Sequence, residues 1–356
     1  MTTYLLAGGG TAGHVNPLLA VADTITSREP DATVIVLGTR EGLEARLVPD
    51  RGYELVFVPR LPFPRRANRQ ALSFLPRLNR AVGDLALLIR SRHVDVVVGF
   101  GGYVSTPAYF AARRAGVPIV IHEANFRAGL ANRLGAWFTR HVGVAFPGTR
   151  IRHPHVVGMP LRPEIAGLDR EKARPEALTF FGLDADRPTL LVTGGSLGAR
   201  RLNNTIVSAA AGLIAAGWQV LHITGEKSDV TDPGLDHYRL ISYCDRMDLA
   251  LSAADFAVSR AGAGTVCELS ALGIPAVYVP YPVGNGEQRF NAADVVRAGG
   301  GILVDDADFL PAWVQHELVP VLADRERVRR MGVAAASAGG LDGSARMTDF
   351  IHAALA

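Results

Sequence analysis

A glycine-rich turn near the beginning of the chain leaves few folds open to this sequence. The apolar run Leu5-Leu6-Ala7 leads into Gly8-Gly9-Gly10-Thr11-Ala12-Gly13-His14, and Pro17 then opens a helical pattern of apolar residues. Proline is tolerated in the first turn of a helix, where its missing N–H is not needed. The pattern predicts a strand, a tight loop and a helix N-terminus, whose unpaired amides and positive dipole end favour a phosphate group.

The turn also contains the G-x-G-x-x-G spacing of dinucleotide sites, at Gly8, Gly10 and Gly13. Because any tight strand-to-helix turn concentrates glycines, this spacing is only a weak indication of a dinucleotide. Such a site needs an acidic residue after the second strand to hold the ribose, whereas the strand predicted at 33–37 ends in Gly38-Thr39-Arg40. NAD is therefore disfavoured, and Arg40 leaves NADP open.

His14 lies beside the predicted phosphate-binding turn. Histidine titrates near neutral pH and is the commonest general base in enzymes. We therefore predict that His14 is a catalytic base, with a histidine that only caps the loop as the alternative.

The composition is that of a compact folded protein, with 356 residues, 48% of them apolar and 20% charged, which is enough for two domains. No apolar run reaches the roughly 18 residues that span a bilayer, and the first residues lack the basic segment of a secretory signal, so we expect a cytoplasmic protein. The 2 cysteines do not have the spacing of zinc ligands. A net charge of +3 is too small to indicate a nucleic acid partner.

Strand and helix patterns alternate through the first half of the chain. Strands are predicted at 53–57, 94–98, 119–121 and 142–144, and helices at 105–115 and 130–138. This alternation predicts a parallel sheet with helices on both faces. Two more polar turns, Gly101-Gly102-Tyr103-Val104-Ser105 and His122-Glu123-Ala124-Asn125, follow predicted strands, so we expect them beside the first turn at the edge of the sheet where ligands bind.

The same pattern begins again at residue 189, after prolines around 156–163 and a charged stretch at 169–188 that we interpret as a linker. A strand at 189–193, the turn Gly194-Gly195-Ser196-Leu197-Gly198 and a helix at 202–216 predict a second α/β domain facing the first across a cleft. We place the domains at 1–160 and 161–341.

Polar side chains in the second half suit a sugar ligand. Arg260 ends a predicted strand, Glu268 lies one turn into the next helix, and Gln288 and Asn291 share one face of a later helix. Amide side chains offer both the donors and the acceptors that sugar hydroxyls need. Each of these residues, taken singly, also fits an N-cap or a solvated surface.

Two Asp-x-Asp strings occur, Asp184-Ala185-Asp186 and Asp306-Ala307-Asp308. One class of sugar transferases uses such a pair to bind Mg²⁺ or Mn²⁺ under a nucleotide diphosphate. Here the first string lies in the linker and the second in an acidic loop, so we interpret both as solvated turns and predict no metal.

These blocks, in this order and spacing, resemble MurG-type transferases over nearly the whole chain. The resemblance implies the GT-B fold, in which two Rossmann-like doubly wound parallel-sheet domains face a central cleft. It also implies a C-terminal helix, here 342–356, that packs back on the first domain. The implied reaction moves N-acetylglucosamine from UDP-GlcNAc to the 4-hydroxyl of the muramoyl sugar of undecaprenyl-pyrophosphoryl-N-acetylmuramoyl-pentapeptide (lipid I to lipid II) in peptidoglycan synthesis. No cofactor is implied.

By resemblance, Glu268 holds the uridine ribose, Ser196 binds the donor diphosphate, Gln288 and Asn125 hold the sugar, and Arg162 lies near the nucleotide. The whole implied donor set is Thr11, Ala12, Gly13, Asn125, Arg162, Ser196, Arg260, Glu268, Gln288 and Asn291. The turn around Thr11 and Gly13 also faces the acceptor pyrophosphate, for which the implied set is Gly9, Gly10, Gly102, Tyr103 and Ser105. The chain departs from the family pattern at Ala12, Ala124, Met159 and Leu197, and none of these departures removes a proposed catalytic group.

The implied mechanism is an inverting displacement at the anomeric carbon. His14 takes the proton of the acceptor hydroxyl while UDP leaves, and helix N-termini and Arg260 hold the charge that develops on UDP. No paired carboxylates occur in matching turns, so hydrolysis by two carboxylates is not supported.

A basic and apolar segment at 61–80 contains five arginines and no acid. Its apolar side chains could enter the headgroup region of a bilayer while its arginines meet anionic lipid. We predict a membrane patch of Phe63, Leu72, Phe74, Leu75, Arg77 and Arg80, and a peripheral position at the cytoplasmic face of the anionic cell membrane. The alternative is an ordinary loop and helix with a solvated basic face.

Other functions stay open at this point. A GT-B transferase acting on a natural product, or a UDP-sugar epimerase of the same fold, would share these turns. An NADP-binding reductase or sensor is disfavoured because the ribose acid is missing and a glycine turn recurs in the second half.

Overall fold

The computed structural model describes residues 1–61, 69–195, 199–283 and 286–356, and for residues 69–73 it describes the backbone only. Its contacts divide the chain into two units. The first consists of Met1–Pro163 together with Leu341–Ala356, and the second of Glu164–Gly340.

The first unit is an alternating α/β structure. Its elements are β1 (Thr3–Gly8), α1 (Ala12–Arg28), β2 (Thr33–Gly38), α2 (Glu44–Asp50), β3 (Glu54–Phe57), α3 (Arg69–Ser91), β4 (Val96–Gly101), α4 (Ser105–Ala115), β5 (Ile119–Glu123), α5 (Leu130–Gly135), β6 (His141–Val144) and β7 (Pro154–Val156). The strands form one parallel sheet in the order β3-β2-β1-β4-β5-β6-β7. Residues of β4 and β5 are buried throughout, as expected for strands covered by helices on both faces.

The strand order positions the candidate site. The chain runs outward from β1 to β3 and then returns to place β4 on the other side of β1. Ligands of such sheets bind at the carboxyl ends of the strands where the order reverses. The loops after β1 and after β4 therefore lie next to each other at the expected position.

The second unit repeats the architecture. Its elements are α6 (Pro163–Ala166), α7 (Arg170–Phe181), β8 (Thr189–Thr193), α8 (Arg200–Ala215), β9 (Gln219–Ile223), β10 (Tyr238–Ile241), α9 (Met247–Ala253), β11 (Ala254–Ser259), α10 (Ala263–Ala271), β12 (Ala276–Tyr278), α11 (Glu287–Asn291), α12 (Ala293–Arg297), β13 (Gly301–Leu303), α13 (Pro311–Trp313), a π-helical turn (Val314–Leu318), α14 (Val319–Ala323) and α15 (Arg325–Ala338). The sheet is parallel in the order β10-β9-β8-β11-β12-β13. The prediction of two doubly wound parallel sheets is confirmed.

The last helix, α16 (Gly343–Leu355), belongs to the first unit. Met347 and Ile351 are fully buried in the core that lies under β1 and α1. The side chain of Ser344 donates a hydrogen bond to the carbonyl of Leu161 at 3.0 Å, which holds the start of the helix. Burial of its apolar face therefore keeps α16 on the sheet of the first unit.

The structure corrects one member of the predicted membrane patch. Phe74 is only 8% exposed and packs with Leu61 and Ala81 in a small apolar cluster. Its ring is held inside the fold, so the prediction that Phe74 meets lipid is wrong. Phe63 and the side chain of Leu72 lie outside what the structure describes. In the described part of the chain, no helix is both long and apolar enough to cross a membrane.

Candidate functional site

Two glycine turns meet at the carboxyl edge of the first sheet. A Cβ atom on Gly102 would lie 2.5 Å from the carbonyl oxygen of Gly9, and one on Gly101 would lie 3.1 Å from Nε2 of His14. Gly101 and Gly102 also have φ values of 98° and 83°, which side chains disfavour. Glycine at these positions therefore lets the turn after β4 pack directly against the turn after β1.

The imidazole of His14 has a defined orientation at this contact. Its Nδ1 atom lies 3.1 Å from the carbonyl oxygen of Gly9 and 3.3 Å from Oγ1 of Thr11. A carbonyl oxygen can only accept, so Nδ1 carries the hydrogen in this bond. The neutral ring then has its lone pair on Nε2. The half-buried His14 thus presents the atom that a general base requires.

Glu44, which the sequence analysis missed, lies beneath the first turn. Its carboxylate is fully buried and accepts hydrogen bonds from the amide of Gly10 at 2.9 Å, and from the amide and the hydroxyl of Thr39 at 2.8 and 2.9 Å. A Cβ atom on Gly9 or Gly42 would collide with this carboxylate. Glycine at both positions, on neighbouring loops, is therefore the sequence feature that could have indicated a buried side chain between those loops.

Three residues predicted to bind the acceptor pyrophosphate have structural roles. Gly10 donates its amide hydrogen to Glu44, and Ser105 is fully buried, with its hydroxyl 2.9 Å from the carbonyl of Ala7 and 3.0 Å from the amide of Gly101. Direct contact of the buried Ser105 with pyrophosphate is therefore a wrong prediction. Gly10 is exposed although its amide is engaged, so its contact stays a prediction, and Gly9 is buried against Gly102.

Other predicted groups of the first unit do reach its surface. Thr11 and Gly13 are exposed, and Ala12 is half-buried as the first residue of α1. Tyr103 is 40% exposed beside the half-buried Gly102. The first amides of a helix lack intrahelical partners, so this part of the edge retains the character of an anion site.

The loop after β5 is shaped by a second buried carboxylate. Glu123 is 3% exposed and accepts hydrogen bonds from the amides of Asn125 and Gly129, both at 2.9 Å, and from the side chain of Asn132 at 3.0 Å. Tyr109 donates in turn to Asn132 at 2.7 Å. Glu123 is therefore a support for the loop that carries the predicted sugar ligand Asn125, which is half-buried.

His122 precedes Glu123 and is a structural histidine. It is fully buried, its ring centre is 5.8 Å from that of Phe100, and its Nε2 atom lies 3.0 Å from the carbonyl oxygen of Gly158. Burial lowers the pKa of His122 to about 4. The ring is therefore neutral near pH 7 and donates from Nε2.

In the second unit, Arg260 is engaged by a carboxylate. Its guanidinium lies 2.6 Å from Oδ1 of Asp306 and donates to the carbonyls of Val279 and Pro280 at 3.1 and 3.2 Å. Arg201 approaches the other carboxylate oxygen of Asp306 at 3.0 Å. The Asp306 side chain is only 12% exposed. The interpretation of Asp306 as part of a solvated turn is therefore wrong. The predicted role of Arg260 toward the leaving group stays a prediction, and the structure adds that its charge is paired with Asp306.

The predicted amide pair divides into two different roles. Asn291 is 1% exposed, and its side chain donates to the carbonyl of Ala261 at 3.2 Å. It therefore ties α11 to the loop after β11, and its predicted contact with the donor is wrong. Gln288 is half-buried and accepts from the amide of Tyr281 at 2.9 Å, which leaves its NH₂ group pointing away from that bond.

The other predicted donor residues are distributed over both units. Glu268 is half-buried on α10, and Gly195 is exposed after β8 with a φ value of 88°. Arg162 is half-buried in the first unit. Ser196 lies outside the described residues. Over the described ranges, no group of three or more His, Cys, Asp or Glu side chains could hold a metal ion.

Comparison with known families identifies this arrangement. The glycosyltransferase family 28 N-terminal domain matches residues 4–144, and the glycosyltransferase family 28 C-terminal domain matches residues 189–347. The chain belongs to glycosyltransferase family 28. The boundaries of both family domains fall close to the sheets of the two units, and the predicted resemblance is confirmed.

Individual family 28 relatives match over their full length. A protein of Leifsonia xyli subsp. xyli (strain CTCB07), named UDP-N-acetylglucosamine--N-acetylmuramyl-(pentapeptide) pyrophosphoryl-undecaprenol N-acetylglucosamine transferase, is 66% identical over 100% of this chain and 99% of its own. One of the same name from Streptomyces coelicolor is 50% identical over 99% and 98%. The crystal structure of Acinetobacter baumannii MurG is similar with a TM-score of 0.79 and 27% identity, over 99% of this chain and 100% of that one. The predicted GT-B fold is confirmed.

Buried His122 makes the stability of this family 28 chain depend on pH. Its pKa is about 4 in the folded state against 6.5 for the free side chain, so the unfolded chain binds the proton more readily. The contribution of His122 is complete above about pH 6.5 and is lost as the pH falls towards 4, by up to about 1.4 kcal/mol per pH unit. We expect His122→Gln to flatten the dependence of the unfolding free energy on pH, measured by urea unfolding between pH 7 and 4.5.

The exposed His316 supplies the matched control, since His316→Gln should leave that pH dependence unchanged. An equal slope in wild type and His122→Gln would contradict a neutral, buried His122.

Proposed function

We propose that this chain transfers N-acetylglucosamine from UDP-GlcNAc to the 4-hydroxyl of the muramoyl sugar in undecaprenyl-pyrophosphoryl-N-acetylmuramoyl-pentapeptide, the step from lipid I to lipid II in peptidoglycan synthesis. The observation that carries this proposal is the match, over the full chain at 66% identity, to a transferase named for this donor and acceptor. The orientation of His14 adds a chemical reason, because the reaction needs a base for the acceptor hydroxyl.

In the proposed mechanism, Nε2 of His14 removes the proton from the acceptor 4-hydroxyl. The acceptor oxygen forms a bond to the anomeric carbon of N-acetylglucosamine while the bond from that carbon to UDP breaks. The configuration inverts, the electron pair of the broken bond leaves with UDP, and the proton stays on His14 until solvent removes it. The bond from Nδ1 to the Gly9 carbonyl stabilises the imidazolium that forms.

We assign the acceptor pyrophosphate to the edge of the first unit. The candidates that reach the surface there are the start of α1 at Thr11 to Gly13, together with Gly102 and Tyr103. Helix N-termini bind phosphate through unpaired amides and through the dipole.

We assign the donor mainly to the second unit. Glu268 is the proposed acceptor for the uridine ribose hydroxyls, and Gln288 offers its NH₂ group to the sugar. The turn at Gly195 and Ser196 precedes α8 and is the proposed diphosphate site. Asn125 and Arg162 of the first unit are kept as proposed contacts to sugar and nucleotide. Arg260, which is paired with Asp306, instead holds the backbone at Val279 and Pro280 next to Tyr281, whose amide bonds to Gln288.

Transfer of labelled N-acetylglucosamine from UDP-GlcNAc to a lipid-linked muramoyl-pentapeptide tests the function. We expect turnover by the wild type, and a fall in kcat of about 10²–10⁴-fold in His14→Ala because the general base is lost, with UDP binding retained. Turnover only with acceptors that lack the muramoyl sugar would overturn the function. A fall of tenfold or less, or one confined to KM, would mean that His14 only caps its loop.

Thermal shift with UDP tests the donor assignment separately. Ligand that binds only the folded state raises Tm, and Glu268→Ala should remove most of the rise since a ribose would lose its anionic acceptor. Glu171, exposed on α7 of the same unit, supplies the control Glu171→Ala, which should keep the full shift. An unchanged affinity for UDP in Glu268→Ala would exclude Glu268 from the site.

We also propose that the chain is a peripheral protein at the cytoplasmic face of the membrane, since its proposed acceptor is lipid-linked. At the start of α3, Leu75 is 69% exposed, and Arg77 and Arg80 are exposed. Apolar side chains can enter the headgroup boundary, and each arginine near anionic lipid contributes about 1 kcal/mol.

Sedimentation with anionic and neutral vesicles, at low and high salt, tests this surface. We expect wild type to bind anionic vesicles at low salt, and Leu75→Ser with Arg77→Glu and Arg80→Glu to lose most of that binding. The matched control is Leu87→Ser with Arg90→Glu and Arg114→Glu, at exposed positions near the ends of α3 and α4. It changes the charge equally and should bind as wild type. Equal binding to both vesicle types, or no loss in the triple variant, would contradict the proposal.

A further inference from the structure

The buried carboxylate of Glu44 has no role in the reaction described so far. It comes from the first turn of α2, yet it is bonded to the opening glycine turn and to the end of β2 rather than to its own helix. A buried charge is costly unless it is compensated. Three short hydrogen bonds from Gly10 and Thr39, at 2.8 to 2.9 Å, provide that compensation.

These bonds lead directly to the imidazole of His14. Glu44 binds the amide of Gly10, and the residue before Gly10 contributes the carbonyl that accepts from Nδ1 of His14 at 3.1 Å. The peptide unit between Gly9 and Gly10 contains both groups, the Gly9 carbonyl and the Gly10 amide. Because a peptide unit is planar, fixing its N–H on one side fixes the direction of its C=O on the other.

The other contacts of the Gly9–Gly10 peptide unit do not hold it in one orientation, as the Glu44 carboxylate does. Gly10 has a φ value of 88°, and nothing lies within 4 Å of where its Cβ would be. The turn after β4 touches the Gly9 carbonyl through Gly102 but offers it no side chain. Packing against Gly102 restrains the position of Gly9 but does not fix the direction of its carbonyl. Without the bond from Gly10 to Glu44, rotation of this peptide unit would move the acceptor away from Nδ1.

We propose that Glu44 is a positioning residue for the transfer reaction. It holds the Gly9–Gly10 peptide so that the Gly9 carbonyl selects the tautomer of His14 with its lone pair on Nε2, and aims that lone pair at the acceptor hydroxyl. The catalytic consequence rests on the proposed function, whereas the effect on the imidazole does not.

The variant Glu44→Gln distinguishes the hydrogen bonds of Glu44 from its packing, because glutamine fills nearly the same volume but has different hydrogen-bonding groups. A glutamine has one acceptor oxygen and one NH₂ donor, while the native carboxylate faces backbone N–H groups of both Gly10 and Thr39. In either amide orientation one of these donors loses its acceptor. Thr39 donates two of the three hydrogen bonds. If the glutamine oxygen keeps those two bonds, its NH₂ group faces the Gly10 amide, which is also a donor, and the turn is no longer held.

The first measurement is kinetic. We expect Glu44→Gln to lower kcat about 10- to 100-fold, the range known for residues that orient the histidine ligands of metal sites, with KM for UDP-GlcNAc nearly unchanged. The double variant with His14→Ala should be no slower than His14→Ala alone, since residues that act as one unit are not additive. A further tenfold loss in the double variant would overturn the proposal.

The second measurement does not require turnover. In ¹⁵N-resolved NMR of the imidazole rings, with His14 assigned by its absence in His14→Ala, wild type should show the tautomer protonated at Nδ1. Glu44→Gln should shift His14 towards a mixture with the Nε2–H tautomer. An unchanged tautomer in a folded Glu44→Gln protein would refute the positioning role, even if the chain proved to catalyse another reaction.

Loss of stability needs its own control, because Glu44 is buried. Ile351→Ala truncates a fully buried side chain of α16 and should lower Tm without changing kcat or the His14 tautomer below the unfolding transition. The proposal would fail if Ile351→Ala lowered Tm about as much as Glu44→Gln and also produced the same fall in kcat. The lower kcat of Glu44→Gln would then reflect lost stability alone.

Discussion

The pairing of β1 with β4 is the contact on which the first unit depends. The chain must leave β1, complete β2 and β3, and return to the opposite edge of β1, so the loops after β1 and β4 meet with no element between them. That meeting is close enough to exclude a side chain at Gly102. The position of the loop that carries His14 follows from this backbone approach.

Buried carboxylates fix the conformation of several loops that follow strands of the two sheets. Glu44 holds the turn after β1, Glu123 holds the loop after β5, and Asp306 pairs with Arg260 after β11. In the first two cases the partners include backbone amides, which would otherwise be unpaired donors in an irregular loop. Loops rich in glycine have high conformational entropy when unfolded, so charged acceptors with several bonds are an effective way to give them one conformation.

Sequence reasoning succeeded where the signal was periodic or steric. Buried parallel strands appear as short apolar runs, and alternation of these runs with helices predicts a doubly wound sheet. Glycine turns indicated where neighbouring loops of the first sheet meet, because only glycine allows their conformations and close approach. It failed for Asn291, Ser105 and Phe74, which have the residue types of a binding surface but are buried. Polarity or aromaticity alone does not tell whether a side chain faces solvent or a neighbouring backbone.

The amino-acid sequence by itself determined the two α/β units, the turns that carry the candidate site and the resemblance to MurG-type transferases, since these depend on local conformation and on the order of motifs. Only the tertiary structure decided how the groups at the turns are used. Glu44 and Gly10 are 34 residues apart, and the donor is a backbone amide that nearly every residue possesses, so no side-chain pattern marks the pair. The direction of the His14 lone pair is therefore a property of the folded loop, because it is set by a carbonyl whose orientation exists only after that loop has closed over the buried carboxylate.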